Sequence, residues 1–384
     1  MNFQKEFSLD PSFSYLNAGT MSLSPNVVIR AVAAHREEYE KNPSHGLLTA
    51  WQRLWELQKE LAKFFEANPN DLFLRTNITY AMNDFLFALE LPKASEILVS
   101  SLEYGAIVNI CRHKADLEGH SITTLPVPLR DVSEAKILES FEQAITSKTK
   151  LAVFSHVATN CGLVFPIEKM AEIARAKGVV LAIDGAHGVG SLPLSFKNTK
   201  VDFYGANLHK WMLGPKGTGF GWVAPSVKKQ LKPKFAGWTS YDVQPLFQVF
   251  SDPWACRWMI SSTHDFSDFY AVHETLEFWR KIGQEKIMAR QVELKNYLKM
   301  AVAKKTGWKL LSEFPAAMDG PMLAFALPDA VEKKGFDLIF ALRAEHRLQI
   351  SMVQVEGKWS MRFAPHIYNS EEEIDLAANI LARL

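Results

Sequence analysis

Val179-Val-Leu-Ala-Ile-Asp184-Gly-Ala-His187 is the stretch on which the reading of this chain turns. An apolar run rich in branched residues leads straight into an acid, and a histidine follows three residues on. Such a run suits a strand buried on both faces. Open α/β sheets place their ligands just outside strand ends. A second stretch of the same kind is Asp202-Phe-Tyr-Gly-Ala-Asn207-Leu-His209-Lys210-Trp211. It sets a lysine, beside a histidine, just past the end of another strand.

Working outward, five further apolar runs surround these two, at 72–76, 97–101, 121–125, 151–155 and 220–224. With 179–184 and 201–206 they predict seven strands. Apolar spacing of three and four predicts helices over 80–91, 133–145 and 166–177, with Pro166 in a first turn and Gly178 as a C-cap. Strands alternating with helices predict an α/β layer structure with a largely parallel sheet. Periodicity fades over 231–262, which carries Phe235, Trp238, Tyr241, Phe247, Phe250, Trp254 and Trp258 and reads as a long covering loop. These aromatics suit core or dimer packing, or a substrate pocket. A long helix is expected over 265–303. The last helix should open at Ser370, with Glu373 closing a capping box. We expect a large domain over 15–264 and a smaller C-terminal α/β domain over 265–384, joined by an N-terminal arm, 1–14.

Composition narrows the function. The chain has 384 residues, is 48% hydrophobic and has a net charge of +1, so it can bury a large core and carries no excess charge for nucleic acid or an anionic membrane surface. No apolar run is long enough to span a membrane, and the charged N-terminus does not read as a signal peptide. Cys111, Cys161 and Cys256 are three, far apart, and read as reduced cytoplasmic thiols. No metal-ligand spacing is present. Gly214-Pro-Lys-Gly217-Thr-Gly219 lacks the order of a phosphate-binding P-loop.

Taken singly, a strand-terminal Asp and an exposed Lys are ordinary. Together and in this order they suit pyridoxal 5′-phosphate (PLP). The Lys210 amine would form a Schiff base with the aldehyde, and Asp184 would keep the pyridine nitrogen protonated. A phosphate site should accompany them. Arg75-Thr-Asn77-Ile78-Thr79 follows a strand and opens a helix, where backbone N–H groups and a Thr hydroxyl make an anion site. Thr79 as a plain N-cap is an equally good reading by itself.

With these motifs in hand, the chain resembles the class V, cysteine desulfurase-like members of the fold-type I PLP enzymes, and within them the isopenicillin N epimerase-like subgroup. The resemblance runs from Tyr15-Leu-Asn17-Ala-Gly19-Thr20 to Arg362. Glu103-Tyr104-Gly105-Ala106 and Gly162-Leu-Val-Phe-Pro166 match the epimerase-like versions. It implies a large domain with a mainly parallel seven-stranded sheet, a smaller C-terminal domain, and a homodimer with shared sites. It implies Lys210 as the Schiff-base lysine, Asp184 at the pyridine nitrogen, His187 near the ring hydroxyl and Tyr104 stacked on the ring. Ile78, Thr79, Asn207 and His209 would bind phosphate, with Asn77 among the cofactor-binding residues, and Thr263 would bind phosphate from the partner subunit. Arg362 would grip a substrate carboxylate, with Asn17 beside it. Thr159, in His156-Val-Ala-Thr-Asn-Cys, falls where the family reaches the ring. Residues 341–361 hold no cysteine, which argues against a persulfide-forming desulfurase.

The expected function is therefore PLP-dependent chemistry at the Cα of an amino acid or amino-carboxylate, as an epimerase or racemase. An aminotransferase or a C–S/β-lyase is the alternative on the same scaffold. A non-catalytic binding protein is the alternative of another class.

Overall fold

The computed structural model describes residues 3–238, 240, 253–260 and 262–384. Among the described residues twelve strands run in chain order: β1 Ser14–Tyr15, β2 Leu72–Arg75, β3 Glu96–Ser100, β4 Ser121–Leu125, β5 Thr149–Ser155, β6 Val180–Asp184, β7 Phe203–Asn207, β8 Gly219–Val223, β9 Leu323–Ala326, β10 Leu348–Gln349, β11 Ser351–Val355 and β12 Lys358–Phe363. The seven apolar runs become one seven-stranded sheet in the order β2-β8-β7-β6-β5-β3-β4. From β7 through to β4 every neighbour is parallel, while β8 lies antiparallel to both β7 and β2. The α/β class and the mainly parallel sheet are as the sequence predicts. β7 and β8 are buried along their whole length, as expected of strands covered on both faces.

The helices follow their caps. Asn77 accepts from the N–H of Tyr80 and starts Ile78–Ala88 two residues earlier than apolar spacing suggests. That helix also stops early, because Leu89 turns extended and bridges Leu231. Ser133 caps Glu134–Ala144, and Ser370 with Glu373 forms the expected capping box before Glu371–Leu381. The single helix expected over 265–303 is instead three: Ser267–Tyr270, Val272–Ile282 and Gln284–Thr306. Gly283, at φ 97, breaks the last two apart, since no helix passes through that backbone region. The loop read over 231–262 contains a helix, Pro253–Trp258. Trp258 is buried against Phe73 and Trp254, whereas Phe235 and Trp238 are exposed. Tyr241, Phe247 and Phe250 lie outside the described residues.

Two hydrophobic cores result. The larger surrounds the seven-stranded sheet. The smaller packs helices Gln284–Thr306 and Glu371–Leu381 on the antiparallel sheet β11-β12-β9. The N-terminal arm joins the second, because β1 pairs in parallel with β10 and Leu16 is part of that core. Arg362 lies on β12, in the smaller sheet.

Candidate active site

Three adjacent strands, β5, β6 and β7, end at the same edge of the sheet. β5 ends in Ser155, paired with Asp184 at the end of β6, and β7 runs into Leu208-His209-Lys210. Parallel register thus brings residues far apart in sequence to one rim. A cavity of about 320 Å³ opens there. Its walls include Asn77, Ile78, Thr79, Tyr104, Thr159, Asp184, His187, Asn207, His209 and Lys210, all of them expected from sequence. Thr20, Met21 and Ser155 line it too and were not expected.

Asp184 is buried, and its Oδ1 accepts from the N–H of Ala186 at 2.8 Å. Burial raises its pKa above the ordinary carboxylate value, against the pull of that N–H and of Lys210. A cation held near it would favour the carboxylate. Burial lowers the Lys210 pKa to about 8; Asp184 opposes the shift and Arg362 adds to it. Its Nζ lies 3.3 Å from His187 Nε2. His187 is held well below its ordinary value by burial first, then by Lys210 and Arg362, and stays neutral.

At the helix start, the N–H of Ile78 is taken by Asn207 Oδ1 at 2.9 Å. Asn207 thereby ties the Lys210 segment to the helix opening at Ile78. The donors left for an anion are the Thr79 N–H and hydroxyl and the Asn207 amide. His209 Nδ1 is buried without a hydrogen-bond partner, and burial lowers that ring to about 4. Tyr104 ends the turn before helix Gly105–Glu118 and is 51% exposed at the cavity wall.

Arg362 is buried behind this cavity. Nη1 donates to the Thr159 carbonyl at 2.9 Å and hydroxyl at 3.0 Å. Nη2 donates to Asn17 Oδ1 at 3.2 Å and to Thr20 Oγ1 at 2.8 Å. Nε is buried with no partner. Among the described residues no carboxylate comes within ion-pair distance of it, and burial lowers its pKa to about 10. A buried cation held only by neutral groups is poised for an anion. Asn17 meets the site through Arg362 and does not line the cavity itself. Thr263 is exposed and is not among the residues that line this cavity.

Sequence reading gave no role to Glu103, although it sits in a quoted motif. It is buried and accepts from Ser100 Oγ at 2.8 Å, Ser155 N at 2.7 Å and Ser155 Oγ at 2.8 Å. Burial first, and Asp184 in addition, push its pKa up to about 7. It locks the end of β3 to the end of β5 just before Tyr104. The available signal was an acid three residues past the end of a buried strand.

The donor set suits PLP. A lysine with lowered pKa, a buried acid, an anion-ready helix start and an unpartnered imidazole nitrogen face one cavity. Lys210 would hold the aldehyde carbon, Asp184 the pyridine nitrogen, and Thr79, Asn207 and His209 the phosphate.

Comparison with known proteins agrees. The family model "Aminotransferase class-V" matches residues 14–376. The isopenicillin N epimerase of Streptomyces clavuligerus is 30% identical over 383 residues, covering 98% of this chain and 96% of that protein. A probable cysteine desulfurase of Methanothermobacter thermautotrophicus is 24% identical, covering 96% and 94%. A C-DES variant solved with glycine covalently linked to its PLP cofactor matches in fold, with a TM-score of 0.88, 21% identity, and coverage of 100% and 99%. Strand order, rim chemistry and these similarities together place the chain in the class V aminotransferase family of PLP-dependent enzymes.

Proposed function

We propose that the protein is an epimerase or racemase that inverts the Cα of an amino acid or another amino-carboxylate. The observation that carries this reading is that Arg362, a buried cation with no carboxylate within ion-pair distance among the described residues, is linked through Thr159 and His187 to the Lys210 amine at the cavity. The two similar isopenicillin N epimerases, at 30% and 28% identity, support inversion over other outcomes.

PLP, when bound, supplies an electron sink that makes the Cα–H of an attached amine acidic. The chain's residues do the rest. Arg362 binds the carboxylate and orients Cα towards Lys210. Lys210 Nζ, a free amine at mildly alkaline pH, takes the Cα proton. Asp184 would keep the ring nitrogen of the bound cofactor protonated. For inversion, a proton must reach the opposite face, and Tyr104 is the hydroxyl we assign there. All three cysteines are buried and none lines the cavity, and burial pushes the Cys111 and Cys161 thiols up to about 12. That supports inversion over persulfide chemistry, which needs an accessible thiolate. The same buried free thiols support a cytoplasmic location. A homodimer, with Thr263 of one copy reaching the other's phosphate site, completes the proposal.

The test incubates PLP-loaded protein with a panel of amino acids in D2O, without keto acid, and follows the Cα–H signal and chirality. Exchange with loss of enantiomeric purity is expected. Exchange with retained chirality would point instead to an aminotransferase, and release of ammonia or sulfide to a lyase. Lys210→Ala should abolish both exchange and the visible absorbance of bound cofactor; persistence of that absorbance would overturn the lysine assignment.

A further inference from the structure

Trp211, next to Lys210, is fully buried and points its indole N–H at Nδ1 of His187, 3.2 Å away. An indole N–H can only donate, so Nδ1 must be the lone-pair nitrogen. His187 is neutral in its buried setting, and a neutral imidazole carries one proton. That proton is therefore on Nε2. Nε2 faces Thr159 Oγ1 at 3.1 Å and Lys210 Nζ at 3.3 Å. The same Thr159 oxygen accepts from Arg362 Nη1 at 3.0 Å, and a guanidinium also can only donate. Neither the Arg362 guanidinium nor a protonated His187 Nε2 can accept a hydrogen bond, so the Thr159 hydroxyl proton must turn elsewhere, and Thr159 lines the cavity.

We propose that Trp211 is a positioning residue: its N–H sets the tautomer of His187, and through it makes the Thr159 hydroxyl a donor to an anionic oxygen held in the cavity. That oxygen belongs either to the cofactor ring or to the substrate carboxylate. The same tautomer acts on Lys210. An ammonium there would meet an N–H at 3.3 Å, whereas a free amine meets it with a lone pair. The ordering thus favours the nucleophilic form. The other charged groups facing the pair are Asp184, which favours the ammonium, and Arg362, which opposes it.

Trp211 is itself held from the smaller sheet's side. Its ring stacks on His366 at 5.7 Å between centroids, and its carbonyl lies 3.0 Å from His366 Nε2. The N–H of Ile367 donates to His366 Nδ1 at 2.8 Å, which leaves the His366 proton on Nε2, facing that carbonyl. The segment after Arg362 therefore clamps the residue after Lys210.

The consequence for Lys210 rests on its reading as the cofactor lysine; the tautomer does not. Full-length protein labelled with ¹⁵N at histidine, with and without PLP, gives the tautomer from two-bond ¹H–¹⁵N correlations. The His187 signals are identified by their loss in His187→Gln. An Nε2–H ring with bare Nδ1 between pH 6 and 8 is expected. An Nδ1–H ring, or a doubly protonated one, overturns the proposal, even if Trp211→Phe does not fold.

In Trp211→Phe, which keeps a ring against His366, mixed tautomers are expected. The pH midpoint of PLP uptake should rise by about 0.5–1 unit. An unchanged tautomer with an unchanged midpoint overturns the proposal as well. Thr159→Val separates the two sources of the oxygen. A shifted pH profile of cofactor absorbance without substrate assigns the ring oxygen, and weaker amino-carboxylate binding with an unshifted profile assigns the carboxylate. Absence of both changes overturns the donor role. Borohydride reduction followed by peptide mass tests Lys210 separately, so a failure there is distinguishable from a failure of the tautomer.

Discussion

At the scale of single residues, the site is organised around charges that lack partners. Arg362 has four neutral oxygens around its planar fork and, among the described residues, no acid. Hydrogen bonds to charged groups contribute about 1.5–3 kcal/mol. Arg362→Ala should therefore raise KM for carboxylate substrates roughly 10–100-fold, measured against an amine without a carboxylate, whose KM should hold. Arg362→Lys should rescue little, because an ammonium cannot reproduce the fork. Glu103 gives a prediction in pH. Its folded pKa, about 7, exceeds the ordinary 4.5, so between these values the folded state holds the proton and the unfolded state releases it. Stability should then fall as pH rises from 4.5 to 7, by about 2–3 kcal/mol from this group. Urea unfolding of wild type and Glu103→Gln across that range should show the slope reduced in the variant. An identical slope would show that Glu103 does not titrate this way. The strand-end acid and the lysine were legible because each follows a run of buried residues. Glu103 was not, because what raises its pKa is burial among strands distant in sequence.

At the scale of elements, boundaries answer to caps and to single glycines. Gly283, at φ 97, separates Val272–Ile282 from Gln284–Thr306, and an added Cβ would meet only Lys286 Cδ, at 4.0 Å. The cost of Gly283→Ala is thus backbone strain without a clash, about 1–3 kcal/mol. A lowered urea midpoint at unchanged m-value would confirm it; no loss would mean that the chain continues as one helix there. Apolar spacing found the existence of these helices and not the break, since periodicity carries no record of one residue's φ. The reverse held at Ser370, where the capping box was legible in full because both of its partners lie within one turn.

For the whole molecule, the site joins the two cores. Lys210 and Asp184 stand on the large sheet, while Arg362 comes from the smaller one and reaches them through Thr159 and His187. The proposed homodimer adds a third contributor. Sedimentation should give about twice the 43.3 kDa chain mass. Thr263→Ala should weaken PLP binding without changing that mass. A monomer with full PLP affinity would remove Thr263 from the site.

The sequence by itself determined the α/β class, all seven strands of the main sheet, and the residue types at the strand ends. Those properties are local: a buried strand must be apolar, and a ligand-bearing end must break that pattern with an acid, an amide or a lysine. Only the tertiary structure decided that Ile78 donates to Asn207, that Glu103 is a buried acid, that Asn17 acts behind Arg362, and that Trp211 orders His187. Each depends on the direction of a hydrogen bond or on desolvation between segments distant in sequence, and neither leaves a periodic trace in the order of residues.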